Sequence, residues 1–124
     1  MTLNDVQSLL DANVLSCRAR LDIDVKSAIV ADVMSDVLAL GKPGSLLLTR
    51  ITSPQVVRTS DILDLAAIVM VRGKAPAPEV LQLAEELQIP ILTTGYVPFE
   101  AAGRLYEKGL RSPIEKTDTS HDAP

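Results

Sequence analysis

Three apolar runs, "SLLLTR" (45–50), "AAIVMV" (66–71) and "IPILTT" (89–94), constrain this chain more than any other feature. Each has the length of a strand, and none alternates apolar with polar residues. A strand with one face in water must alternate, so an unbroken run needs cover on both faces. Segments of helical period lie between the runs. "PEVLQLAEELQ" (78–88) places Val80, Leu83, Ala84 and Leu87 at i, i+3, i+4 and i+7, with Pro78 at the first helical position. Buried strands alternating with amphipathic helices specify βαβ units. The expected fold is α/β: three layers, α/β/α, around a mainly parallel sheet of four to five strands.

The rest of the chain fits the same plan. "TLNDVQSLLDA" starts with Thr2 and Asp5 in capping-box spacing and carries Val6, Leu9 and Leu10 as its apolar stripe. "NVLS" (13–16) and "AIV" (28–30) are shorter strand candidates. Asp32 stands where a helix cap is expected, ahead of Val33, Val37 and Leu40, and Gly41 and Pro43 stop that helix. Ser53-Pro54 opens another helix through about Leu63. Pro98 opens the last, with Phe99, Ala102, Gly103 and Tyr106 on one face and Gly109 at its end. Periodicity then stops, so residues 1–111 are expected to form one domain and residues 112–124 a disordered polar tail.

Composition removes several function classes. Aromatic residues are 2% of a chain that is 47% hydrophobic, too few to supply base-stacking planes. The formal net charge is −4 with no Lys/Arg run, which argues against nucleic acid. No apolar run is long enough to span a bilayer. "MTLNDVQSLL" has no basic segment of the signal-peptide kind, and a cytoplasmic location is expected. One cysteine (Cys17) and one histidine (His121) leave no Cys/His metal set, so neither metal nor cofactor is expected.

In open parallel sheets, ligands bind beyond the carboxyl ends of the strands. Three polar exits fall there: Thr49-Arg50-Ile51-Thr52-Ser53, Arg72-Gly73-Lys74 and Thr93-Thr94-Gly95-Tyr96. Hydroxyls, cations and glycines near helix starts suit an anion or nucleotide. The same residues also suit plain turns, and Glu79 competes for the positive end of its helix. Neither GxxxxGK[ST] nor GxGxxG is present. His121 is too near the end of the chain for a Ser-His-Asp or Cys-His arrangement. Asp32 with Asp36, and Asp61 with Asp64, share helix faces but read as a cap and as solvated surface. No catalytic residue is assigned and no enzyme is expected.

"VADVMSDVLA", "GSLLLT", "DLAAIVMVRGKAPAPEVLQLAEELQIPILTT" and "FEAAGRLYEKGL" together resemble the DRTGG domain family, and its short stand-alone members in particular, over residues 1–110. The resemblance implies an α/β/α domain like the amino-terminal domain of HPr kinase/phosphorylase. It implies a regulatory or dimerising module, of the kind found in some phosphotransacetylases and between the CBS repeats of regulatory pyrophosphatases. Stand-alone members accompany redox enzymes such as hydrogenases. The family's name pattern survives only around "VVRTSD" (56–61), with Val57 where an acid would precede Arg58. Relatives read GDLWIT and HPN where this chain reads "GSLLLT" and "SPQ", so Ser45, Leu47, Ser53 and Gln55 replace Asp, Trp, His and Asn. Thr49, Pro54, Arg58, Gly73 and Thr94 keep the family's look.

The expected function is a non-catalytic regulatory, ligand-sensing or dimerisation module that binds a small anionic ligand or nucleotide at the strand ends. Its ligand set is Thr49, Ser53, Arg58, Arg72, Gly73, Lys74, Thr93 and Thr94. A homodimer is expected as well. The alternative is an assembly module or accessory subunit of a larger redox or metabolic enzyme, with no small-molecule ligand.

Overall fold

Each unbroken apolar run becomes a strand whose successive side chains enter two different cores. The computed structural model describes residues 1–118; His121 and the rest of the expected tail beyond Asp118 lie outside them. The elements are α1 (Leu3–Leu9), β1 (Asn13–Val14), a 3-10 turn (Arg18–Arg20), β2 (Ser27–Val30), α2 (Met34–Leu40), β3 (Ser45–Thr49), α3 (Pro54–Ile62), β4 (Ala67–Met70), α4 (Pro78–Leu87), β5 (Ile91–Thr93) and α5 (Pro98–Glu107). The five strands lie in the order β1-β5-β4-β3-β2. β2 through β5 are parallel, and β1 joins the β5 edge antiparallel.

Side chains alternate across a strand with a period of two, and this divides the interior. Leu46 and Leu48 of β3, Ala67 and Val69 of β4 and Leu92 of β5 face α1 and α5. Leu47, Ile68, Met70 and Ile91 face α2, α3 and α4. Helices on both sides leave β3 and β4 no wet face. Burying each such leucine or isoleucine fully contributes about 1.5–3 kcal/mol, which is why the middle of each run is apolar and polar residues stand only at its ends.

Local chemistry closes the ends. The Thr2 hydroxyl accepts from the Asp5 N–H and the Asp5 carboxylate accepts from the Thr2 N–H, the expected capping box. The buried hydroxyls are all spoken for. Ser16 donates to the Ile89 carbonyl and accepts from the Ile91 N–H; Ser27 and Ser45 bond each other at 2.8 Å; Ser60 donates to the Val56 carbonyl. No buried side-chain polar atom among the described residues lacks a partner, as a low-dielectric interior requires.

One local expectation is corrected. Asp32 does not cap α2: the cap residue is Val33, with no side-chain cap bond, because the Asp32 carboxylate is drawn to Arg50 on the neighbouring strand exit. The face shared by Phe99, Ala102, Gly103 and Tyr106 is the outer face of α5. Ala101 and Leu105 hold that helix to the sheet. Among the described residues no helix is long and apolar enough to cross a membrane.

Leu105→Ala should lower the unfolding free energy by about 2–5 kcal/mol through the cavity it leaves. Ile62→Ala, at a side chain 78% exposed, should change it by less than about 0.5 kcal/mol. Urea denaturation of the two variants beside the parent measures both.

Candidate functional site

At the rim of the sheet two neighbouring strands send their connections to opposite faces, the arrangement at which open α/β sheets carry ligand crevices. β2, β3 and β4 lead into α2, α3 and α4 on one side, whereas β5 leads into α5 on the other. In a parallel sheet the chains part at such a point. The parting loops here are Arg72-Gly73-Lys74 after β4 and Thr94-Gly95-Tyr96 after β5.

Backbone bonds join the two loops directly. The Arg72 N–H donates to the Tyr96 carbonyl and the Gly73 N–H to the Thr94 carbonyl, both at 2.8 Å. The Thr93 hydroxyl donates to the Lys74 carbonyl at 2.6 Å. Gly73 has φ +71 with nothing within 4 Å of where a Cβ would stand, so it is a glycine for its backbone angle, not for lack of room.

The threonine hydroxyls turn inward. Thr94, buried, donates to the Leu10 carbonyl at 2.6 Å and accepts from the Tyr96 N–H. Thr49, also buried, donates to Asp32 at 3.4 Å and accepts from the Ile51 N–H. Their protons are therefore donated within the protein, and Thr49, Thr93 and Thr94 act as positioning groups for the loops. Arg58 is brought elsewhere: it lines a groove between α3 and α4 with Glu79, Gln82 and Glu86. Ser53 precedes α3 without capping it, so its hydroxyl remains at the rim.

Arg72 and Lys74 supply the charge. Both are exposed. The ion pairs among the described residues are Met1–Asp24, Arg50–Asp32 and Arg104–Glu100, so neither loop cation is engaged. Arg72 also has φ +60, a left-handed conformation that costs a non-glycine residue about 1–2 kcal/mol. Asp11, Asp64 and Gln88 share that conformation just after helices, where it is common, and Cys17 shares it ahead of the 3-10 turn; Arg72 follows a strand. The helices that start on this rim, α2 to α5, carry no side-chain cap, so their positive ends add to the same field. Glu79 and Glu100 in the first turns of α4 and α5 offset part of it.

Beside the crevice, Asp32 fastens the β2 exit to the β3 exit. Its carboxylate accepts from the Arg50 N–H at 2.8 Å and from Arg50 Nε at 2.9 Å. Burial pushes the Asp32 carboxyl up, but the Arg50 N–H, the guanidinium and the Thr49 hydroxyl outweigh it and hold the group below its ordinary value. Cys17, at the opposite edge of the strands, is not part of this site. Its N–H donates to Glu85 and its sulfur lies 3.7 Å from both Glu85 and the Ala84 carbonyl. Burial and the Glu85 carboxylate push the thiol up, which leaves little thiolate.

The departures from the family pattern divide in the same way. Ser45 and Leu47 are fully buried, so their replacements concern packing. Ser53 and Gln55 stand at the start of α3, where a ligand can meet them. The topological parting of β4 and β5 is a long-range property that no local spacing in the sequence carries.

A depressed carboxyl contributes stability above its unfolded value, about 3.9, and loses it as pH falls through the lower folded value. Asp32→Asn should therefore lower the melting temperature at neutral pH. The gap from the parent should narrow as the pH falls below about 4. A gap that stays constant in thermal melts down to pH 2 would remove this role from Asp32.

Comparison with known proteins places this geometry. No curated protein matches the sequence. Nine chains of solved structures match the fold. One is the crystal structure of the CBS and DRTGG domains of the regulatory region of a Clostridium perfringens pyrophosphatase, complexed with its activator diadenosine tetraphosphate. It superposes with a TM-score of 0.72 at 16% identity, covering 95% of this chain and 51% of that one. This chain thus spans about half the length of that regulatory region. The sequence model of the DRTGG domain matches residues 5–107, and the chain belongs to the DRTGG domain family.

Proposed function

We propose that this chain is a non-catalytic, cytoplasmic regulatory module that senses a small phosphorylated anion, of the nucleotide kind, at the β4–β5 crevice. Arg72 carries the proposal. A disengaged guanidinium on a strained backbone is hard to explain by stability, because glycine at the same position would relieve the strain. Charge at that point is what the strain retains. Lys74 adds a second cation, Gly73 keeps the approach open, Ser53 offers a hydroxyl from the β3 side, and the uncapped helix starts favour negative charge.

The related pyrophosphatase region, complexed with a dinucleoside polyphosphate, supports a nucleotide in preference to other anions. Support for a non-catalytic role comes from the ionisable side chains on these loops, two cations and the Tyr96 phenol, with no carboxylate or imidazole among them. The regulated target in this proposal is a larger metabolic enzyme.

A thermal-shift series with ADP, ATP, dinucleoside polyphosphates and inorganic phosphate tests this. A nucleotide should raise the melting temperature with saturation, by about 2.7 kcal/mol of added stability at a hundredfold excess over its dissociation constant. Arg72→Gly should raise the ligand-free stability by about 1 kcal/mol and weaken the response. The Arg72→Ala/Lys74→Ala double variant should lose the response while keeping the fold. No shift across the series overturns sensing of such anions, and a double variant that responds like the parent overturns the site.

A further inference from the structure

The face of the sheet that carries α5 is not wholly covered. Ala28 and Val30 of β2 stand in register with Leu46 and Leu48 of β3, so their side chains turn to that same face. α5 lies over β3, and the edge strand β2 has no helix of its own on that side. Val30 is accordingly 45% exposed and belongs to neither core. The chain beyond α5 crosses there instead, fastened by the Ala28 N–H, which donates to the Arg111 carbonyl at 3.0 Å. Helix and crossing segment leave a cavity of about 270 Å³ between them. Ala28 and Val30 line it from the strand, Ala102 and Leu105 from the helix, and Leu110 and Ile114 from the crossing segment.

One charged group stands at this cavity, and it is held still. Arg111 lines the cavity, and its guanidinium carbon lies 3.9 Å from the centre of the Tyr106 ring. Its Nη1 donates to the Tyr106 and Leu110 carbonyls at 2.9 and 3.3 Å. A cation fixed over an aromatic face and by two carbonyls has little freedom left to lose on binding. Those bonds use Nη1 alone. Nε and Nη2 make no hydrogen bond within the described residues, and Arg111 is in none of the ion pairs there.

We infer that this cavity binds a small amphiphilic carboxylate, an aliphatic chain or single ring whose acid group meets Arg111. The site lies over β2, apart from the β4–β5 rim, and the inference does not rest on the ligand proposal. Charge selects the class: the spare donors of a guanidinium fork suit a carboxylate, and no acidic side chain lines the cavity to attract an amine. Size selects a short ligand. At about 30 Å³ for each non-hydrogen atom, the share of a water molecule, the cavity holds about nine such atoms. A nucleotide is too large and too polar for it. The ligand's tail covers Ala28 and Val30, as a further helix would.

Amide NMR spectra of the full chain, titrated with sodium octanoate and in parallel with octylamine, decide the matter. Octanoate should shift the resonances of Ala28, Val30, Leu105 and Leu110 saturably at millimolar concentration, and octylamine should not. Arg111→Gln should weaken octanoate binding about tenfold. Val30→Glu, at a side chain already part-exposed, should abolish it by setting a carboxylate of the protein's own against Arg111, with the rest of the spectrum unchanged. No saturable shift with octanoate, shifts confined to another face, equal binding of octylamine, or either variant binding like the parent overturns the inference.

Discussion

The demand that β3 and β4 be dry on both faces governs this molecule. Leu46, Leu47 and Leu48 are consecutive and all buried, but they belong to two cores. Neither helix layer can be removed without exposing half of every central strand. That single constraint sets the three layers, the parallel direction of the strands joined by α2, α3 and α4, and the need for α1 and α5 on the far side. Polar residues are pushed to the strand ends, where the backbone leaves the sheet and side chains regain water.

The far layer also sets how the chain leaves the rim. With α2, α3 and α4 on one face, α5 must cross to the other if Leu46, Leu48, Val69 and Leu92 are to be covered. The crossing follows β5, so beyond their bonded loops the chain runs from β4 to one face of the sheet and from β5 to the other. The rim surface is thus a by-product of covering the sheet, and the exposed side chains on it are free of packing duties. Arg72 and Lys74 show this freedom most clearly, since neither is held by a partner and neither supports the core.

Much of the fold was legible in the sequence, because unbroken apolar runs and 3.6-residue periods are local signals. The boundaries of β3, β4 and α4 follow from them closely. Three things were not legible, each for a physical reason. Asp32 has the local look of a cap, but its partner, Arg50, is 18 residues on, on a strand exit that becomes its neighbour only in the sheet. The Thr94 hydroxyl looks like a ligand donor until Leu10, 84 residues away, takes its proton. α5 carries apolar residues on both sides, and periodicity alone cannot say which side meets the sheet; Leu105 prevails over Phe99 because its neighbour Ala101 lets the helix lie close. Of the expected site, the position of the loops at the rim was readable, while the inward turn of the threonines was not.

The bonds joining the two crevice loops have a mechanical consequence. With Arg72 tied to Tyr96, Gly73 to Thr94 and Thr93 to Lys74, these segments cannot swing apart or clamp down like jaws. An anion bound as proposed would meet a preformed, stiff bracket, and its arrival would be registered as neutralised charge without any folding or unfolding of the walls.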